Sequence, residues 1–455
     1  MAIKSKFIVY LVIPIILSSC KKYLDYPSDK KLTIISSLTD MQSLLDQYYI
    51  INERDPNPLV YANDDLFLDF DIWESLIEFD RGVYVWEPYN IVRPYSYTGS
   101  GNAWSDSYNK VYQANIVLDN IASVERTENN YNQWNDIIGQ AYFIRGKTFL
   151  NVAWIWALSF DSASFGSDLG IPLRLNSNFN EVSKRANIRD TYSQIIDDLK
   201  AAANYLPLKV ASPFRPSKGA AYGFLARTYL SMNDFINAEK YSDSALQISS
   251  ALIDFNSDID LSETYPFAEN NKEVIYFSKI QSSRAISASN VNTMLYHSYD
   301  SNDLRKSFYF NFRNEGHWSF KGNYTKSSSP FSGMSTNEIL LISMEANARN
   351  GNIGKAVSQL NDFMITRWKE GTYVPFSSAD MKTVVDKILI ERRKELLYRG
   401  IRWSDLKRLN KLDANVTQKR ELNGVEYILA PNDLRYAMAI PEDVIERSSI
   451  IQNPR

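Results

Sequence analysis

The chain has 455 residues, and its 50 Lys and Arg nearly balance its 53 Asp and Glu, which gives a formal net charge of −3 at pH 7. No basic excess is present to attract nucleic acid. One cysteine and two histidines give little basis for a disulfide framework, a metal site or a His-based catalytic centre, whereas aromatic residues make up 13% of the chain.

The N-terminal segment has the layout of a bacterial lipoprotein signal. A short basic stretch precedes the apolar run at 7–17, which is too short to span a bilayer and has the length of a signal-peptide core. Small residues follow, and then comes Cys20, the only cysteine. We therefore predict a signal peptide over 1–19, lipidation of Cys20 and a polar tether over 20–37. An ordinary secretory signal that happens to contain a cysteine is the alternative.

The region near 55–105 has weak periodicity and is rich in Asn, Ser, Asp, Gly and aromatic residues, which is typical of a long, loop-rich insertion. Its adjacent Asp64 and Asp65 could suggest paired catalytic carboxylates, but neighbours in a chain rarely face each other across a substrate. A polar loop with a turn or a helix cap is the commoner explanation. We therefore predict no catalytic residue here.

The clearest helical pattern lies in the middle of the chain. Apolar and small residues recur at steps of three and four over 217–232 and again over 235–248, with a short break between the two runs. Helices joined by so short a turn pack antiparallel, and the pair is similar to a tetratricopeptide repeat. A looser pair follows over 336–367. Because the units are unevenly spaced, we predict a mainly α domain over 38–455, a tetratricopeptide-like helical scaffold with long loop-rich insertions and minor β structure.

A second insertion, near 251–335, resembles the first in composition. Aromatic side chains on such loops can stack on sugar rings while neighbouring polar groups bind the hydroxyls, although each ring could instead fill the core beneath the loops. The predicted ligand-binding residues of the two insertions are Trp73, Trp86, Tyr89, Tyr95, Tyr97, Asn102, Tyr296, Trp318 and Tyr324.

The densest charge cluster is ILIERRKELLYRGIRWSDLKRL, residues 388–409. The planar fork of arginine binds a carboxylate with two parallel hydrogen bonds. We therefore predict that the charged residues of this segment form ion pairs that hold helices together, and an anion-binding patch is the alternative. The residues concerned are Glu391, Arg392, Arg393, Glu395, Arg402 and Asp405.

Taken in order, segments along the whole chain resemble the SusD/RagB family of outer-membrane nutrient-binding lipoproteins. The most specific of them is ERRKELLYRGIRWSDLKRL. The others are CKKYLDYPSD, WSDSYNKVYQANIVLDNI, AYFIRGKTFLNVAW, GIPL, KGAAYGFLARTYLSMNDFINAEKYSDSAL, EILLISMEANARNG and AIPEDVIERSSIIQNPR.

The resemblance implies a helical body with a loop-rich ligand face, a lipid anchor in the outer membrane facing the cell exterior, and no enzymatic activity. The implied partner is a SusC-like TonB-dependent transporter that receives a bound glycan. We expect no cofactor, metal or nucleic acid. The alternatives are a peptide-binding member of the family, a helical-repeat adaptor that binds only proteins, and a glycosidase, which needs two carboxyl groups about 5–9.5 Å apart across a cleft. Lys21 and Lys22 depart from the acidic export signals typical of the family.

Overall fold

The computed structural model describes residues 35–87, 102–448 and 450–455. The predicted signal peptide, Cys20 and most of the predicted tether therefore lie outside the described residues. Within that part of the chain, eighteen α-helices dominate. They are α1 (Leu38–Leu45), α2 (Tyr48–Ile51), α3 (Pro58–Tyr61), α4 (Phe70–Glu74), α5 (Glu78–Tyr84), α6 (Ala103–Asn120), α7 (Tyr131–Trp156), α8 (Ile188–Tyr205), α9 (Lys218–Ser231), α10 (Phe235–Ile248), α11 (Arg284–Ser287), α12 (Thr293–His297), α13 (Arg305–Tyr309), α14 (Thr336–Arg349), α15 (Ile353–Ile365), α16 (Met381–Glu395), α17 (Arg402–Asn410) and α18 (Glu442–Ser448).

The β structure of the described residues consists of short antiparallel pairs, each forming a two-stranded sheet. The pairs are β1 (Leu66–Phe67) with β5 (Asn290–Val291), β2 (Leu169–Pro172) with β3 (Arg185–Asn187), β4 (Val274–Tyr276) with β8 (Met334–Ser335), β6 (Phe310–Asn314) with β7 (His317–Phe320), and β9 (Gln418–Leu422) with β10 (Val425–Leu429). The predicted mainly α fold with minor β structure is therefore confirmed.

The long helices pack in chain order to form the scaffold. α6 packs on α7, α7 on α8, α8 on α9 and α9 on α10, and α10 then contacts α14, which packs on α15 and α16. The turn between α9 and α10 uses Asn233 at a positive φ of 58°, and Asp234 caps α10 by accepting the Asn237 N–H. The helical pairs have the predicted tetratricopeptide-like character. Among the described helices, none is both long and apolar enough to cross a bilayer.

Helix α9 is buried on nearly every side, because small residues allow its neighbours to approach. Ala220, Ala221 and Ala226 are fully buried in it. A Cβ atom at Gly223 would lie 2.7 Å from Cγ of Met334, too close for any real contact. Glycine at this position therefore lets β8, which begins the second half of the scaffold, lie against α9.

The two predicted insertions meet in space. β1 belongs to the first and β5 to the second, and their pairing places Leu66 opposite Val291 and Phe67 opposite Asn290. A further bridge joins Asp55 to Ile280. Segments more than two hundred residues apart in sequence therefore build one surface, which is where we place the candidate site.

Candidate ligand-binding face

The candidate site is formed by the end of β1, helices α4 and α12, and the β6–β7 hairpin. We call it the aromatic face and define it by Trp73, Tyr296, Phe312, His317 and Trp318. Trp73, Tyr296 and Trp318 were predicted from the sequence. The hairpin rings were predicted only in part, because neither Phe312 nor His317 was among the candidates.

The β6–β7 hairpin presents its aromatic side chains on one face. Phe312 lies opposite Trp318 in the strand register, and Phe310 lies opposite Phe320. Cross-strand partners in an antiparallel pair project to the same side, so the four rings share one surface. The turn between the strands uses Gly316 at a positive φ of 79°, a conformation that favours glycine.

Exposure differs sharply between the two central rings of the hairpin. Phe312 is 69% exposed, whereas Trp318 is only 9% exposed. Tyr296 stacks on Trp318, with ring centroids 3.8 Å apart and an interplanar angle of 14°. Protein therefore covers one face of the indole, and the ring that is free to stack on a ligand is Phe312. Trp318 lies opposite Phe312 in the strand register, and Tyr296 covers that indole.

Polar groups border these rings. Asp69 lies directly before α4, one turn from Trp73, and its Oδ1 lies 3.1 Å from Nε2 of His317. Its Oδ2 accepts a hydrogen bond of 3.2 Å from the Asn290 side chain. The Arg313 guanidinium donates to the carbonyls of Ser287, Ala288 and Ser289 at the end of α11. The face thus combines an exposed ring with a carboxylate, an imidazole and a guanidinium.

His317 forms contacts through both ring nitrogens. Nδ1 lies 2.9 Å from the Glu315 carbonyl oxygen, and Nε2 faces the Asp69 carboxylate. The hydrogen bond to the Glu315 carbonyl and the one to Asp69 raise the pKa of His317 above its ordinary 6.5. The ring therefore carries its charge to higher pH than a free histidine.

Two of the predicted ligand residues lie in the core. Trp86 is 4% exposed, donates its indole N–H to the Ala62 carbonyl at 2.8 Å, and lines a cavity of about 160 Å³ with Phe67. Tyr324 is fully buried and donates its hydroxyl to Glu273. Neither ring is presented to a ligand in this structure.

The other predicted residues have different surroundings. Asn102 caps α6, since its side chain accepts the Ser105 N–H at 2.9 Å while the Ser105 hydroxyl accepts the Asn102 N–H. Trp73 is half-buried and donates its indole N–H to the Arg81 carbonyl at 3.2 Å. The remaining three lie outside the described residues: Tyr89, Tyr95 and Tyr97.

Helix α16, the centre of the charge cluster, holds the β1 side of the face. Nε of Arg393 donates to Asp65 at 2.8 Å, and the Arg402 fork binds both oxygens of Asp64 at 2.7 and 2.9 Å. Burial by itself raises the pKa of Asp64, but the charges of Arg402 and Arg393 outweigh it and lower that pKa. These two carboxylates are thus engaged by arginines just before β1, which leaves no free acid–base pair there.

The same helix holds the hairpin side of the face. Arg305 opens α13, which leads directly into β6, and its fully buried guanidinium binds Asp303, Glu391 and Glu395. Glu395 also accepts from Arg367 and from the Asn337 amide. Within the cluster, Arg392 pairs with Asp405 at 2.9 Å. The predicted structural role of the charge cluster is confirmed, and the pairs reach further than the segment itself.

A sequence signal for the hairpin was available. Phe-x-Phe before Asn-Glu-Gly and Trp-x-Phe after it give alternation on both sides of a turn. No sequence signal could have paired Asp69 with His317, because they meet only through the pairing of β1 with β5 and the packing of β5 on β7.

Comparison with known proteins agrees with the fold. The SusD-like family described as "Starch-binding associating with outer membrane" matches residues 22–230. The SusD-like protein P2 of Formosa agariphila is 25% identical over 420 residues, which cover 77% of this chain and 79% of that protein.

Solved structures share the fold at lower identity. A SusD superfamily protein from Bacteroides thetaiotaomicron has a TM-score of 0.71 and 19% identity, covering 92% of this chain and 100% of that one. A protein from Bacteroides vulgatus named as a putative sugar binding protein has a TM-score of 0.70 at 19% identity, covering 93% and 99%. Another from that organism, named as a SusD-like carbohydrate binding protein, has a TM-score of 0.67 at 19% identity, covering 91% and 97%.

Proposed function

We propose that this chain is a SusD-family, cell-surface lipoprotein that binds glycan and delivers it to a SusC-like TonB-dependent transporter of the outer membrane; the family match over residues 22–230 and the shared fold support this. Its role is binding and not catalysis. The glycan occupies the aromatic face, and the transporter receives it from there.

The observation that carries this proposal is the exposed ring of Phe312 with its support. The Phe312 ring is 69% exposed and so offers apolar area that a ligand can bury. Trp318, held by its stack on Tyr296, lies opposite this ring in the hairpin. The Asp69 side chain, which is 50% exposed beside His317, can accept hydrogen bonds from hydroxyl groups. Rigid rings with a few convergent polar groups are typical of sites that recognise sugars.

The names of related proteins favour a glycan over a peptide. The matching family is described as starch-binding, and two of the structural relatives are named for sugar or carbohydrate binding. A peptide ligand is the alternative within the same family, and the binding experiment below distinguishes it.

The proposed anchor and partner rest on the N-terminal pattern and on the family. Signal peptidase would cut before Cys20, and the acylated thiol would hold the domain at the outer membrane. More than one acyl chain is needed for stable anchoring. The family description, which places its members at the outer membrane, supports this location. The transporter partner is likewise proposed from the resemblance to the family.

A binding experiment on Phe312→Ala tests the site. We expect a glycan array to identify ligands of the wild type, and calorimetry to show at least about tenfold weaker binding of the variant, or ~1.4 kcal/mol. The melting temperature should not change, because the ring is mostly in water. Phe179→Ala is a matched control, since that ring is 79% exposed on the loop between β2 and β3, and it should bind as the wild type does.

Three results would contradict the proposal in different ways. Equal loss in the two variants would mean that the effect is not specific to the aromatic face. Unchanged glycan binding by Phe312→Ala would place the site elsewhere. Binding of peptides and of no glycan would favour the peptide-binding alternative.

A further inference from the structure

The aromatic face is assembled from two separate parts of the chain. Trp73 and Asp69 come from the first insertion, whereas Phe312 and Trp318 come from the second. Close to the face, the backbone joins them through the β1–β5 pairing, which is only two residues long. So short a pairing is marginal by itself. A side-chain contact that ties the hairpin to the end of β1 can therefore affect the geometry of the face.

That contact is His317 with Asp69. The Phe67 ring also packs on the imidazole, with centroids 5.6 Å apart. Both partners of the ring nitrogens, the Glu315 carbonyl and the Asp69 carboxylate, can only accept hydrogen bonds. A neutral imidazole has one N–H and can satisfy only one of them. Both contacts are made together only by the imidazolium.

The other charged groups near the ring are few. Arg313, on the same hairpin, opposes the charge on His317, but its guanidinium is directed to the carbonyls that end α11. His297, on α12, lies on the other side of Trp318, with ring centroids 5.4 Å apart. Asp69 is thus the carboxylate that the ring faces, and the pair is partly in water, with side chains 30% and 50% exposed.

We propose that His317 is a positioning residue of the aromatic face: its imidazolium fixes the β6–β7 hairpin, and with it Phe312, against the Asp69 end of β1, so that ligand affinity decreases when the ring loses its proton. This proposal rests on the proposed function, since it concerns the same face. His317 acts through the hairpin and need not touch the ligand.

The direction of the pH dependence follows from the raised pKa. The pKa of His317 is higher when the hairpin is held against Asp69, so the imidazolium stabilises that arrangement fully at pH values below its ordinary pKa of 6.5. This stabilisation is lost as the pH rises through the raised pKa. Loss of one hydrogen bond at a partly exposed pair corresponds to a change of about threefold in an equilibrium constant, here the affinity for the ligand. The affinity should therefore fall by about threefold between about pH 5.5 and about pH 8.5.

Two variants and two measurements test the proposal on the purified mature protein. We expect His317→Gln to abolish the pH dependence of affinity for the glycan that the array identifies. Asp69→Asn should shift the midpoint to lower pH, because it removes the charge that favours the imidazolium. Heteronuclear NMR of the imidazole should show the same downward shift in pKa without any ligand. His297→Gln is the control, as it removes the only other histidine and should keep the pH dependence.

The outcomes separate the proposal from the proposed function. If His317→Gln keeps the wild-type pH dependence, or if the NMR pKa of His317 does not move in Asp69→Asn, the positioning role is wrong. If no glycan binds at any pH while the NMR shift is as expected, His317 does pair with Asp69 and it is the proposed function that is wrong. If the pH dependence disappears in His297→Gln and persists in His317→Gln, His297 causes it and the role proposed for His317 is wrong.

Discussion

Arg305 is the residue whose replacement most directly tests how the aromatic face is held. It lies at the start of α13, and its guanidinium is fully buried among Asp303, Glu391 and Glu395. Arg305→Ala would leave three carboxylates around an empty space. Asp303 would lose its only cationic partner among the described residues, whereas Glu395 would keep Arg367.

The magnitude follows from the environment of Glu391. Burial by itself raises its pKa, but the charges of Arg305, Lys394 and Lys387 outweigh burial and lower the pKa to about 2. The difference from the ordinary 4.5 corresponds to about 3 kcal/mol in favour of the ionised, paired state. Breaking a buried pair typically costs 3–5 kcal/mol. We therefore expect Arg305→Ala to lower the free energy of unfolding by about 3–5 kcal/mol and the melting temperature by roughly 3–6 °C.

Denaturant unfolding followed by tryptophan fluorescence measures this loss, and Lys382→Ala is the control. Lys382 forms an exposed pair with Asp386, with side chains 81% and 54% exposed, so its removal should have no measurable effect. Because the pKa of Glu391 is lowered in the folded protein, its ionised carboxylate stabilises the fold fully at pH values above the ordinary pKa of 4.5. This stabilisation is lost as the pH falls through about 2. The difference in the free energy of unfolding between wild type and Arg305→Ala should therefore become smaller as the pH falls below about 4.5. A loss of less than about 1 kcal/mol, or a difference that grows in acid, would refute the reasoning.

The remaining predictions concern the two insertion tryptophans and the anchor. Trp86→Ala should lower the free energy of unfolding by about 3–5 kcal/mol. Trp86→Phe should lower it by only about 1 kcal/mol, since phenylalanine keeps most of the packing and loses only the hydrogen bond to Ala62. If thermal melts of Trp86→Ala show no loss of stability, Trp86 is again a candidate ligand residue. Trp318→Ala should reduce both stability and glycan affinity, because the buried indole stacks on Tyr296 and lies opposite Phe312 in the hairpin. Paired melts and calorimetry would contradict this if only one of the two changed. Cys20→Ala should release the protein from the membrane fraction and abolish metabolic labelling with a fatty acid, and a labelled variant would exclude lipidation at that residue.

The scaffold could be predicted from the sequence because its pattern is local. Apolar spacing identified α9 and α10, and it also located the looser pair α14 and α15, whose connecting turn uses Gly351 at a positive φ of 89°. Each of these signals depends on residues within one or two turns of one another. The fold-level prediction needed nothing that lies further apart in the chain.

The site was harder to predict, because exposure of a loop aromatic is not a local property. Trp86 and Phe312 both lie in insertions with weak periodicity. Trp86 is buried because Ala62 accepts its N–H and the Arg420 guanidinium lies 5.0 Å from its ring. Phe312 is exposed, although its cross-strand partner Trp318 is buried. What distinguishes the two rings is tertiary contact with residues distant in sequence.

Helix α16 explains how a loop-rich face can be precise enough to bind. A two-residue β pairing supplies few hydrogen bonds, and the partly exposed pair of His317 with Asp69 adds about one more. The half-buried pair of Arg393 with Asp65 and the buried pair of Arg305 with Glu391 both converge on this one helix. Each insertion is therefore fixed at its base to the same rigid element, close to where its ligand-facing part begins. Exposed hairpin positions such as Phe312 can then vary the surface offered to a ligand without disturbing the contacts that hold it in place.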